Sequence, residues 1–357
     1  MRINSLSELE SKFRTPETNK GFKLDSFSIA VPGESNLMLN ATLATRKDGY
    51  RDFYESEKCD KDKVVIHYTV GHVLSDVTTL SPRPATGRTR LSVAYVIARD
   101  GTIYQLFPSH YWSYHLGSEA LGGNSIGSKS SIGIELSNFG PLTLSPDKKT
   151  LETAYSRVKG NPVDTYCALT DADQYIKLDK PYRGYQYFAA HTDKQYDSLI
   201  ILVRYLTSLY NIPREFIEES KRYEATLENA QFKGITTHVN FRTTGKTDIG
   251  PAFDWKRLID GVKTAQYLPL GSVKFGTMAA AAMGGAAAAS GLASAGVFGS
   301  SAVSGPPPSK FPVYQNEDEM EKALIPPLAR SKGIFFDEDF GPAPEEEMEV
   351  EERNWVE

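Results

Sequence analysis

Cysteine is scarce in this chain: Cys59 and Cys167 are the only two among 357 residues, so no disulfide framework is expected. No internal repeat is evident, and the length suits one large domain with appendages. A charged-then-apolar leader is also missing, since Met1 to Lys20 is polar and irregular. Secretion through a signal peptide is therefore not expected, and synthesis in the cytoplasm is. Charge of either sign is absent from Phe275 to Pro308, a stretch of mostly Ala, Gly and Ser that ends in three prolines. By composition this is a flexible linker. A second reading stays open beside it. Residues 278–298 span about the ~20 residues of a membrane helix, and Gly285, Gly291 and Gly296 would permit close helix packing. Alanine is only marginally apolar and glycine weakens helices, so the linker reading is preferred over membrane contact.

The C-terminal segment, in contrast, is rich in one sign. From Phe311 to Glu357 there are fourteen acidic and four basic residues, a net of minus ten in a chain of net minus five, which leaves plus five for the remainder. Such a segment reads as an acidic, disordered tail able to meet a basic partner, with Phe335, Phe336 and Trp355 as docking anchors, or simply as a solubilising tail. The expected organisation is an extension over 1–60, a catalytic domain over 61–262 with an insertion at 138–183, a linker over 263–310 and the tail over 311–357. Within the extension, a helix is expected from Ser7 with Glu10 as its capping-box partner.

Chemistry concentrates in three places. Lys63-Val64-Val65-Ile66-His67-Tyr68 is an apolar, β-branched run that predicts a buried strand with His67 near its end. In Ser131-Ile132-Gly133-Ile134-Glu135-Leu136, alternation puts the apolar residues on one face and Gly133 and Glu135 on the other. Gly234-Ile235-Thr236-Thr237-His238 precedes a Gly/Pro-rich loop that carries Lys246 and, ten residues after His238, Asp248. Two imidazoles and a carboxylate are ligands zinc accepts, and three protein ligands leave a tetrahedral position for water. Taken alone, His67 would be a core histidine and Glu135 a salt-bridged sheet residue; their pairing with His238 and Asp248 turns the reading toward a metal site. His72, His110 and His191 are expected to be structural or surface residues.

These segments resemble the type-2, zinc-dependent N-acetylmuramoyl-L-alanine amidases, a family that includes phage lysins, muropeptide-recycling amidases and peptidoglycan recognition proteins. The likeness covers roughly residues 60 to 262 and rests on six ordered blocks: VVIHYT, YVIARDGTIYQLFP, WSYHLG, NSIGSKSSIGIELSN, YFAAHTDKQYDSL and GITTHVNFRTTGKTDIGPAFDW. It implies His67, His238 and Asp248 as zinc ligands, Glu135 as the proton-handling carboxylate and Lys246 as the partner of the developing oxyanion. His115 and Asn124 are implied as substrate contacts, with His115 alternatively a second proton-handling group. Where many relatives have Ser-Ala-His-Tyr, this chain has Ser92-Val93-Ala94-Tyr95, so that histidine is replaced by Ala94. Neither cysteine fits a ligand position.

The fold expected is α/β, a central mixed sheet flanked by helices with zinc in a surface cleft. Ser92 to Phe107 reads as a hairpin turning at Asp100-Gly101. Thr192 and Gln195 form a capping box ahead of a buried helix that runs to Asn211. The insertion is expected either to wall the cleft and tune muropeptide choice or to be a surface excursion. The function expected is hydrolysis of the bond between N-acetylmuramic acid and L-alanine in peptidoglycan, by a lysin or delivered effector that acts on the cell wall. A phage particle, injection machine or secretion apparatus would engage the tail, and no nucleic-acid partner is expected. The rivals are a non-catalytic wall-binding protein, a cytosolic recycling amidase and a zinc peptidase.

Overall fold

The computed structural model describes residues 2–34, 36–82, 90–158, 160–267, 269 and 309–325. The expectations that fall on 278–298, Phe335, Phe336 and Trp355 lie outside the described residues. Its strands are β1 (Phe22–Ala30), β2 (Met38–Arg46), β3 (Lys63–Tyr68), β4 (Tyr95–Ile97), β5 (Ile103–Gln105), β6 (Ser131–Leu136), β7 (Pro141–Leu144), β8 (Thr150–Thr153), β9 (Thr165–Ala168), β10 (Tyr175–Tyr182), β11 (Tyr185–Ala189), β12 (Gly234–Thr237) and β13 (Val313–Tyr314). Its helices are α1 (Arg2–Ser11), α2 (Pro16–Asn19), α3 (Val73–Thr79), α4 (Asn124–Ser130), α5 (Asp193–Tyr210), α6 (Leu227–Ala230), α7 (Trp255–Lys263) and α8 (Glu317–Leu324).

Eight strands form a mixed sheet in the order β12-β3-β6-β4-β5-β2-β1-β13. Every residue of β3 is buried, which accounts for a run without polar alternation: both faces of this strand are covered. β4 and β5 pair antiparallel across a turn where Gly101 has φ +84°, as the Asp-Gly signal predicts. On the sheet, β12, β3 and β6 run parallel as neighbours. Their carboxyl ends therefore lie together near one edge, the usual place for a site in such sheets.

The long helix α5 begins with the capping box of Thr192 and Gln195 and ends at Asn211 in the left-handed conformation. Leu199, Leu202, Val203 and Leu206 are fully buried in the main core, each burial stabilising the fold by about 1.5–3 kcal/mol. α7 packs so closely on α5 that a Cβ at Gly261 would stand 2.5 Å from Ile200 Cδ1.

The first sixty residues depart from expectation in a definite way. α1 starts at Arg2 rather than Ser7, and Glu10 caps nothing in its own helix. Its carboxylate is buried, accepting from Arg99 Nη1 at 2.9 Å, the Arg99 amide at 2.6 Å and the Val73 amide at 3.0 Å. An interior guanidinium needs a counter-charge, and that demand outweighs the local box. The polar stretch beyond forms β1 and β2, which extend the sheet.

The insertion, together with β11 just past its expected end at 183, builds a second sheet, β10-β11-β7-β8-β9, with its own small core of Leu142, Leu151, Tyr166 and Tyr187 joined by Leu6 of α1. The expectation of a disordered tail from Phe311 does not hold as far as Ile325. β13 pairs parallel with β1, and Glu317 of α8 is buried, accepting from Tyr95 Oη at 2.6 Å, Gln105 Nε2 at 3.0 Å and the Ser109 amide at 2.9 Å. Four consecutive polar residues at 315–318 look solvated in sequence, yet Glu317 meets donors that only the folded sheet assembles. His110, Asp318 and Glu321 also come together here, with Lys58 on Asp318 at 2.9 Å and Tyr111 Oη on Glu321 at 3.0 Å; these contacts tie α8 to the core. Among the described residues no helix is long and apolar enough to cross a membrane.

Candidate active site

The parallel register sets His67 directly beside Glu135, and His238 follows the last residue of β12. His67 Nδ1 and His238 Nδ1 are 2.9 Å apart, and Asp248 Oδ2 lies 3.3 Å from the first and 3.1 Å from the second. All three residues are buried. The loop that carries Asp248 returns to the strand end through the Val239 amide, which donates to the Asp248 carbonyl at 2.9 Å.

Hydrogen bonds on the far side of each ring decide which nitrogen faces inward. Ser131 Oγ donates to the Gly127 carbonyl at 2.7 Å, so it accepts from His115 Nε2 at 2.9 Å. That leaves His115 Nδ1 to accept from His67 Nε2 at 3.0 Å. His238 Nε2 donates to the Leu116 carbonyl at 3.1 Å. Both Nδ1 atoms thus present lone pairs to the same point as the Asp248 oxygen. Burial pushes His238 down to about 4, against the opposing effect of Asp248, and it is neutral at pH 7.

Three buried lone pairs converging within 2.9–3.3 Å repel one another unless a cation lies among them. Tetrahedral zinc with bonds of about 2.0–2.1 Å to N and O ligands spaces them by about 3.3–3.4 Å, so the donor types and their spacing fit that ion with a small opening of the triangle.

Glu135 stands next to this group with its Oε2 buried and without a hydrogen-bond partner. Burial first, then the charges of Asp248 and Asp76, raise it well above the ordinary carboxylate value, with Lys246 acting in the opposite direction. Asp76 is itself raised to about 6 by burial, against the hydrogen bond from Ser137. Lys246 is half-buried, two residues before Asp248.

Five of the residues singled out in the sequence are therefore brought together: His67, His238, Asp248, Glu135 and Lys246. His115 does not face outward as a substrate contact would; it is 6% exposed and stands behind His67. Asn124 opens α4, and its Oδ1 accepts from the Leu116 amide at 3.3 Å and Ser128 Oγ at 3.0 Å. It thereby braces the loop whose Leu116 carbonyl orients His238. Gly133 is needed beside His115, because a Cβ there would lie 2.8 Å from Val93 Cγ1 and 3.2 Å from the imidazole. Sequence reasoning did not find the roles of Ser131 and Leu116. Ser131 lies on the Glu135 face of β6 by alternation, which is a usable signal; a backbone carbonyl leaves none.

A family model described as N-acetylmuramoyl-L-alanine amidase matches residues 58–251. No curated protein matches the chain. Among solved structures, the chain is similar to PlyL, with 17% identity over 63% of this chain and 96% of that one and a TM-score of 0.33. It is also similar to AmpD, with 19% identity over 60% of this chain and 98% of that one and a TM-score of 0.32. A third is the N-acetylmuramyl-L-alanine amidase AmiD from E. coli, in complex with anhydro-N-acetylmuramic acid-L-Ala-D-gamma-Glu-L-Lys, with 22% identity over 61% of this chain and 65% of that one and a TM-score of 0.36.

Proposed function

The chain belongs to the N-acetylmuramoyl-L-alanine amidase family, and from that premise we propose that it is a zinc-dependent peptidoglycan amidase whose metal is held by His67, His238 and Asp248. The observation that carries the zinc assignment is the meeting of two imidazole lone pairs and a carboxylate oxygen, all buried, at 2.9–3.3 Å. Zinc supplies, when bound, a water of pKa about 7 and a Lewis acid for the scissile carbonyl.

The protein's own groups account for the remainder. Glu135, beside the ligands and with its Oε2 free of hydrogen bonds, takes the proton of the attacking water and returns it to the leaving L-alanine nitrogen, a role worth roughly 100- to 10,000-fold in rate. The Lys246 ammonium offsets negative charge developing on the carbonyl oxygen, and loss of such a partner costs about 3 kcal/mol. His115 fixes the tautomer of His67 and so keeps the lone pair inward. The finer reading is a wall-degrading lysin or delivered effector rather than a recycling enzyme, supported by the uncharged stretch over 275–308 and the net charge of minus seven over 326–357, against plus two elsewhere.

The test is incubation with intact sacculi, with and without a chelator, alongside E135A. Mass spectrometry should find stem peptides with a free N-terminal alanine, lost on chelation and reduced at least 100-fold in the variant. Cleavage that survives chelation would overturn the zinc assignment. Sacculi bound but left uncut would overturn the activity, and cleavage confined to free muropeptides would favour recycling.

A further inference from the structure

The second sheet reaches the site through its β10–β11 hairpin. β10 and β11 are joined by a two-residue turn, Arg183-Gly184, across the facing pair Tyr182 and Tyr185. Both turn residues have positive φ, +46° at Arg183 and +87° at Gly184, the geometry for which hairpins select Asn-Gly. Arginine is a poor choice there, since an L side chain is disfavoured in the left-handed region and lacks the short polar group that lets Asn adopt it. A local rule broken at one position points to a use for that side chain.

The guanidinium reaches the loop that leads to Asp248. Arg183 Nη1 donates to the carbonyls of Arg242, at 3.3 Å, and of Lys246, and Nη2 donates to Arg242 at 3.3 Å. The same hairpin closes on the other flank of Asp248: a Cβ at Gly250 would stand 2.5 Å from Tyr182 Cε1. A loop that is neither helix nor strand is thus held at 242, 246 and 250, on both sides of the carboxylate. Nη1 serves both carbonyls and Nη2 adds a second bond to Arg242, a planar set of donors that a lysine ammonium matches only in part.

We propose that Arg183 is a positioning residue of the hydrolytic site, by which the inserted sheet fixes the loop carrying Lys246 and Asp248. The inference rests on the catalytic and metal-binding roles proposed for those two residues. It makes the insertion a working part of the active site, acting through backbone carbonyls instead of through substrate.

The experiment compares R183N and R183K with the full-length wild type. Four quantities are measured: the Tm of the metal-free protein, zinc affinity by competition with a chromophoric chelator, and kcat and KM on a soluble muropeptide. Turn chemistry predicts that R183N folds as well as wild type or better, so a purely structural arginine would leave the site untouched. The positioning role predicts an unchanged or higher Tm, together with zinc affinity and kcat each reduced about 10- to 100-fold. R183K should recover part of both, since its ammonium keeps the charge and can donate to a loop carbonyl but lacks the planar fork. Wild-type zinc affinity and kcat in R183N would overturn the proposal, and so would losses that merely follow a lowered Tm. Should the wild type bind zinc yet release no alanine amine, the amidase reading fails, and the zinc affinities alone decide for or against Arg183.

Discussion

Glu135 Oε2 is closed off from water and accepts no hydrogen bond, a state that costs a fold about 1–3 kcal/mol. Its neighbour His67 is treated differently, with the nitrogen that faces away from the site engaged by His115. The chain from His67 through His115 and Ser131 to the Gly127 carbonyl is a run of single donors and single acceptors, so one tautomer satisfies all of it. Burial pushes His115 well below its ordinary value, which keeps the relay neutral and able to accept from His67. H115A should therefore weaken zinc binding by about 10- to 100-fold, and S131A should act in the same direction by less. Competition titration of the metal-free proteins measures both; unchanged affinities would remove His115 and Ser131 from the site.

At the scale of elements, α1 and α8 each insert one carboxylate into the interior. Glu10 meets Arg99, 89 residues away in sequence, and both side chains are fully buried. Removing one partner of such a pair strands a charge, so E10A should lower stability by about 3–5 kcal/mol in urea unfolding, while the exposed Glu8 serves as a control with little effect. A loss below about 1 kcal/mol would mean that water reaches Arg99 in the variant. These contacts also mark what the sequence concealed. β3, β6, the β4–β5 hairpin and α5 were readable because their signals are local: β-branched runs, strict alternation, an Asp-Gly turn, a capping box. Of the ligand candidates, His67 stands near the end of β3 and His238 just past β12, while Asp248 lies on the Gly/Pro-rich loop beyond. Glu10 read as a capping-box partner and Glu317 as part of an acidic tail because their donors belong to distant parts of the chain, and β1 and β2 carry no alternation clean enough to distinguish them from loop. Nothing in sequence says which loop Arg183-Gly184 meets.

Across the whole molecule, charge is divided between a mildly basic body and an acidic end, and the anchoring of α8 moves the boundary. Residues 326–357 hold ten acidic and three basic residues. Their net of minus seven, taken from the chain's minus five, leaves plus two. An acidic segment repels an anionic wall over a Debye length of about 8 Å at physiological salt, so it restrains non-specific adsorption to the substrate polymer. Deleting 326–357 should leave kcat on a soluble muropeptide and Tm unchanged, and should tighten binding to sacculi at low salt by several-fold, a gain that vanishes as salt rises. Deleting 309–357 removes Glu317 and the fully buried Met320 as well. Each kcal/mol lost in a domain of 150–250 residues lowers Tm by about 2–4 °C, so this longer truncation should melt distinctly earlier. Sedimentation of sacculi with each variant at two salt concentrations, beside a thermal melt, separates the two effects. Equal binding at low salt with and without 326–357 would show that the acidic end does not govern approach to the wall and leave docking to a basic carrier as its role.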